Sequence, residues 1–255
     1  ELLEILPLYT TCLPEFGVGQ RDYEAVQTWQ SQISGGINCF SSTRSGLDNE
    51  QESKSFVSLS SKALVKNHSE LSNLLYQTLT DVRLDESERL ADLVEQICAR
   101  KENSITGQGH SLAMSLASSG FSPAAKLMHE FNGLEGIKRL KFIKKQISKE
   151  RFSKELLEKF KQLHEILVNN PIQLLTITES DEGEKAISDL NTVWTGNYNN
   201  DRKKTGWNLP ETRIKLNEVW TTSTQVNFCA KAFPTVPFKH RDNATLHVLA
   251  GYLRN

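Results

Sequence analysis

Between Trp220 and Ala230 the chain alternates, with Trp220, Thr222, Thr224, Val226, Phe228 and Ala230 on one side of the backbone. That is the period-two signature of a strand covered on one face. Pro234 and Pro237 interrupt it, and Asp242 then offers an N-cap for a helix whose apolar positions are Leu246, Val248, Leu249 and Leu253. One strand and one helix cannot bury a core between them. The pattern therefore predicts the opening of a further domain, in a chain that is a piece of something longer. It also predicts an exposed apolar surface around Val226, Phe228 and Leu249 that drives self-association.

Upstream, the periodicity is mostly helical. Leu2 to Leu13 reads as a largely buried helix, with Pro7 as an alternative first residue, ended near Pro14 and Gly17. Tyr23 to Ile33 is a second helix, stopped by Gly35-Gly36. Ile37 to Thr43 and Phe56 to Ser61 alternate as an antiparallel pair, with Ile37 and Cys39 opposite Asn38 and Phe40. Leu64 to Thr80 is a helix with its stripe at Leu64, Leu71, Leu74, Leu75 and Leu79. Asp85 and Glu88 have capping-box spacing and start a helix running past Cys98, bent or broken over Ser104 to Gly109 before Leu112 to Ala117.

Ser122-Pro123 starts the next helix, with proline at its first position. Gly136 to Ile147 and Ser153 to Leu167 follow as helices, Ile172 to Thr178 as a short apolar central strand, and Glu182 to Leu190 as a helix. Asn191 to Pro210, with Gly196, Gly206 and four asparagines before Trp207, has little periodicity and is the best linker candidate. The chain contains no internal repeat. Strands flanked by runs of helices without strict alternation predict an α+β fold.

Thirty basic residues against 31 acidic give a formal charge of −1, which makes no case for nucleic acid or a membrane as partner. No apolar run has the length of a membrane-spanning helix, and the first residues lack a signal-peptide pattern. The four cysteines, Cys12, Cys39, Cys98 and Cys229, are scattered without a C-x-x-C pair, so buried free thiols are expected rather than structural zinc or disulfides.

Two stretches carry a family resemblance. Thr222 to Asn255, with Q-V-N-F-C-A-K-A-F-P-T-V-P and then H-V-L-A-G-Y-L-R-N, resembles the start of the last domain of the presequence proteases. These are zinc metallopeptidases of the pitrilysin/insulinase clan. L-P-L-Y-T-T-C-L-P-E-F-G (Leu6 to Gly17), R-D-Y (Arg21 to Tyr23) and S-G-G-I-N-C-F-S-S (Ser34 to Ser42) resemble the opening of that family's third domain. The resemblance implies a LuxS/MPP-like metallohydrolase domain, an antiparallel-leaning sheet covered by helices, over residues 1–195. A linker over 196–214 and the incomplete start of the next pitrilysin-like domain over 215–255 would follow. It further implies two bowl-like halves that close around unstructured peptides, with zinc in the other half. This chain would then be a non-catalytic part of the chamber wall, with the catalytic half and peptide substrates as its partners.

The family's H-x-x-E-H zinc motif places two histidines one helical turn apart on one metal, with the glutamate handling the water's proton. Neither it nor H-E-x-x-H occurs here, and the corresponding helix reads Tyr9-Thr10-Thr11-Cys12-Leu13. No metal or catalytic residue is therefore assigned, no cofactor is expected on this chain, and the chain alone is expected to be inactive. The family's assisting arginine and tyrosine follow a Gly-Gly-Ala-Tyr-Gly run that would lie beyond Asn255.

Of the six histidines, His129 and His164 each precede a glutamate, but side chains one apart on a helix diverge by about 100°. Solvated or capping roles are expected for both. No G-x-S-x-G elbow, Walker loop or G-x-G-x-x-G is present, and Gly107-Gln108-Gly109 suits a bend between helices better than a phosphate cradle.

The sharpest charge feature is Lys138, Arg139, Lys141, Lys144 and Lys145, continuing to Lys149 and Arg151 over an apolar stripe of Ile137, Leu140, Ile143 and Ile147. A solvated helix face is the plain reading. A phosphate-binding strip, or a charged wall that favours acidic peptides or docks the other half, are the sharper ones. The competing function is a free-standing interaction module using this basic helix, 137–151. A nucleic-acid binder, whose affinity would weaken with salt, is the third.

Overall fold

The computed structural model describes residues 1–194, 208–222 and 225–254. Its chain divides into two compact units, the first comprising 1–41, 57–96 and 143–207, the second 42–56, 97–142 and 208–255. In order, the elements are α1 (Leu2–Cys12), α2 (Tyr23–Ile33), β1 (Ile37–Ser45), β2 (Ser53–Ser61), α3 (His68–Thr80), α4 (Ser87–Gly107) and α5 (Gly109–Ser118). They continue with α6 (Pro123–Asn132), α7 (Leu134–Gln146), α8 (Glu150–Val168), α9 (Gly183–Trp194) and α10 (Asn243–Arg254). Among the described residues the sheet is the two-stranded pair β1–β2, so the molecule is helix-rich α+β.

In the first unit α1 packs on α8 and α3 on α9. The stripe of α8 (Ser153, Leu156, Leu157, Phe160 and Leu163) recurs at three- and four-residue steps and is buried. Phe160 is fully enclosed, with its ring edge-on to Tyr9 (centroids 5.4 Å apart) and to Phe16 (6.5 Å). Pro7 lies inside α1, which begins at Leu2 rather than at the proline. Thr10 and Thr11 send their hydroxyls to the Pro7 carbonyl at 3.2 and 2.8 Å. At the exit of α1, Val18 and Arg21 exchange backbone hydrogen bonds of 3.0 Å each across a turn that Gly19 makes at φ +59°. On the other side, Trp194 donates to Ser72 at 3.2 Å and meets Tyr76 edge-on at 5.2 Å.

In the second unit α5 packs on α6. Ser122 caps α6 by accepting from the Ala125 amide at 3.1 Å, and Pro123 stands at its first position, as the sequence predicts. Leu112, Ala124, Leu127, Phe131, Ile137 and Leu140 are buried there.

Several expectations are corrected. Residues 172–178 form neither strand nor helix, and Leu175 and Ile177 are 85% and 90% exposed. Among the described residues 220–230 contain no strand either. An extended segment becomes a strand only when a neighbour takes its backbone hydrogen bonds, and alternation in sequence does not supply that neighbour. The expected linker loses its first residues to α9, where Trp194 is buried, and its 195–207 portion lies outside the described residues. Helix α4 begins at Ser87, one residue after the start Asp85 would cap. Asp85 lies 3.5 Å from Arg83 instead, while Glu86 accepts from the Gly17 amide at 2.8 Å.

Candidate functional site

The basic run falls on α7, the turn after it and the first turn of α8. Its apolar stripe is buried as expected, with Ile137, Leu140, Ile143 and Ile147 all below 10% exposure. In the second unit the cations of this helix have local partners. The Lys138 ammonium is 3.7 Å from Glu135 and 5.5 Å from the Trp220 ring centroid. Arg139 donates to the Glu130 carbonyl at 3.3 Å, and Lys141 is 3.0 Å from Glu102. Lys144 and Lys145 belong to the first unit and are exposed in the last turn, where cations complement the helix dipole. Further along, Lys149 donates to Gln146 at 2.7 Å and Arg151 to Glu155 at 2.8 Å. Cations so paired at a surface give a helix solubility and little field.

Of the two histidines read as solvated or capping, His129 is buried and His164 is half-buried, which corrects that expectation. His129 is 5% exposed, and burial lowers its pKa, with Glu135, Glu218 and Glu130 pulling the other way. His164 shares a 2.7 Å hydrogen bond between its Nδ1 and the Tyr9 hydroxyl, and burial lowers its pKa too. The missed signal is legible: His164 lies four residues after Phe160, at the edge of the buried stripe of α8. Tyr9 is fully buried, and desolvation raises its pKa far above the phenolic range. The Cys39 thiol is pushed up to about 12 by burial. All four cysteines are free. Cys12 and Cys98 are buried, Cys39 is half-buried, and Cys229 is exposed, against the expectation of burial.

Among the described residues no group of three or more histidine, cysteine, aspartate or glutamate side chains could hold a metal ion. None of the described helices is long and apolar enough to cross a membrane.

Residues 1–145 match the family model described as peptidase M-16C associated, and the chain belongs to that family. Over 258 residues it is 26% identical to the mitochondrial presequence protease of Drosophila melanogaster, covering 99% of this chain and 24% of that protein. With the mitochondrial presequence protease of Yarrowia lipolytica it shares 23% identity over 99% of this chain and 26% of the other. Protein HypA of Clostridium perfringens is 23% identical over 91% of this chain and 23% of that protein. The chain thus spans about a quarter of the length of these curated relatives.

Proposed function

We propose that this chain is a non-catalytic part of a zinc-dependent metalloendopeptidase that degrades unstructured peptides. The observation carrying this reading is an alignment with presequence proteases over 99% of the chain, joined to the match of residues 1–145 to a peptidase-associated family model. On this reading residues 1–195 are a LuxS/MPP-like domain that forms part of the chamber wall. Residues 196–214 link it to the next pitrilysin-like domain, which opens at 215. Zinc is held in the other half, with which this chain partners around the peptide. Lys138, Arg139, Lys141, Lys144 and Lys145 are surface residues of that wall, and the local partners of the first three favour a supporting role over a phosphate or nucleic-acid site.

The purified chain, incubated with zinc and a long unstructured peptide, is expected to leave the peptide intact. Adding a separately expressed half that carries H-x-x-E-H is expected to increase cleavage over that half alone. Zinc-dependent cleavage by this chain by itself would overturn the reading.

A further inference from the structure

The segment from residue 208 onward is held to the second unit in an unusual way. Among its described residues it has no helix or strand before α10, and much of its apolar surface faces solvent, with Ile214 54%, Val219 93% and Phe233 68% exposed. It is attached at a few polar points and by the Phe228 ring, which stands against Gly109 and edge-on to His110 at 5.0 Å. Thr212 is the one residue of 208–222 that is buried, at 2% exposure.

At that point two backbone amides, two residues apart, are received by the unit beneath. The Thr212 amide donates to the Gln51 Oε1 at 2.8 Å, and the Ile214 amide donates to the Gly120 carbonyl at 2.8 Å. Amides two residues apart on an extended chain point to the same side, which is how one strand addresses another. Here a side-chain carbonyl and a main-chain carbonyl stand in for the neighbouring strand.

Gln51 is built for this task. It is 7% exposed, and its Nε2 donates to the Phe121 carbonyl at 2.8 Å. A carbonyl on one side and an amide on the other fix which end of the side chain faces the segment. Gly120 completes the receptor, because a Cβ there would collide with the Ile214 carbonyl oxygen. Only a residue without a side chain allows the two backbones to approach so closely. Between the two received amides, Arg213 reaches Glu50 at 3.1 Å.

We propose that Glu50, Gln51 and Gly120 form a binding site for an extended peptide, occupied in this structure by the chain's own residues 211–214. The ligand it takes offers two backbone amides two residues apart with a basic residue between them. Recognition through backbone amides makes the site tolerant of sequence at the flanking positions, and Glu50 sets the register through the cation. Because residues 208–222 bury only Thr212, detachment of that stretch is a low-cost local opening. A peptide in solution then competes with an occupant that is already attached. Its apparent affinity is reduced by the fraction of molecules in which the site is vacant. The site is defined independently of the peptidase reading.

The test uses the full chain and a fluorescein-labelled synthetic peptide with the sequence of residues 208–217. In the double variant Thr212→Pro with Ile214→Pro, the segment can no longer donate either amide, so the site is open. Fluorescence anisotropy is expected to show the peptide binding this variant at least about tenfold more tightly than the unaltered chain. Adding Gln51→Leu to the open variant is expected to abolish binding, and adding Gln51→Glu, which keeps an acceptor oxygen, to preserve part of it. A peptide carrying proline at both amide positions is expected not to bind. That ligand-side control keeps the test decisive even if Gln51→Leu impairs folding.

Failure of the open variant to bind while its circular dichroism and melting match the unaltered chain would overturn the proposal. So would binding that is indifferent to proline in the peptide. If the unaltered chain sediments as a dimer and the open variant as a monomer, the segment is exchanged between two copies and self-occupancy is overturned.

Discussion

The interior around Tyr9 and Phe160 and the stretch from Trp220 to Leu253 both carry periodic sequence, yet among the described residues only the first is enclosed. In the first unit the stripe of α8 meets α1, and Tyr9, Phe160 and Leu163 have no accessible surface. In the second, α10 forms at the predicted place, with the Leu246 amide bonded to the Asp242 carbonyl at 3.0 Å. Its apolar residues Val248, Leu249, Tyr252 and Leu253 are nevertheless 47–78% exposed. Local pattern is enough to start a helix, because its hydrogen bonds are internal. It cannot make a strand or a core, since both need a partner that the pattern does not contain.

The contrast breaks most readily in the first interior. Phe160→Ala removes a fully buried ring that touches Tyr9 and Phe16 and is expected to cost about 3–5 kcal/mol in urea unfolding. A loss comparable to that of an exposed site would mean the interior is not the stabilising core. Next in size is Gly133→Ala at the end of α6. A Cβ there would collide with the His129 Nδ1 and lie 2.6 Å from the His129 carbonyl oxygen. One of those atoms is backbone and cannot rotate away, so a destabilisation of about 1–3 kcal/mol is expected.

Smaller still is Tyr9→Phe, which deletes the hydroxyl bonded to His164 and is expected to cost about 1 kcal/mol. The same pair gives a pH signature. His129 and His164 both have folded pKa values below the ordinary 6.5. Each therefore binds protons more readily in the unfolded chain. The stability they contribute is complete above pH 6.5 and falls as the pH drops through that value toward the lowered folded ones. Urea midpoints at pH 7.5 and 5.5 are expected to differ in that direction, and His164→Gln to narrow the gap. An unchanged gap would mean that His164 titrates as an exposed residue does.

What the sequence disclosed follows the same division. Tyr23 to Ile33, the α6 cap at Ser122-Pro123 and the alternation of Ile37 and Cys39 with Asn38 and Phe40 on β1 were legible because each depends on residues within a few positions of one another. The solvated reading of His164 failed because pairing it with Glu165 ignored the stripe four residues back at Phe160. The strands at 172–178 and 220–230 failed because alternation records a preference for two different faces, not the presence of a neighbour. The receptor for residues 211–214 was invisible for a related reason. Gln51 and Gly120 are far apart in sequence, belong to no motif, and acquire meaning only when Thr212 lies between them.

The smallest effects belong to the outer segment, and they sharpen the comparison by their size. Val219→Ala, at a position 93% exposed, is expected to change stability by no more than about 0.5 kcal/mol. Thiol chemistry reads the same difference without mutation. Cys229 is exposed in the outer segment, Cys12 and Cys98 are buried, and Cys39 is half-buried with a thiol pushed up to about 12. The thiolate is the reacting species, so Cys39 at neutral pH presents almost none despite its partial exposure. Ellman's reagent is expected to modify one thiol promptly in the folded chain and the other three only on unfolding. Cys229→Ser should remove the fast phase alone. Two fast thiols would place Cys39 in the same accessible state as the outer segment, and the enclosure of the Tyr9 interior would then extend less far toward β1 than the packing of α1 and α8 implies.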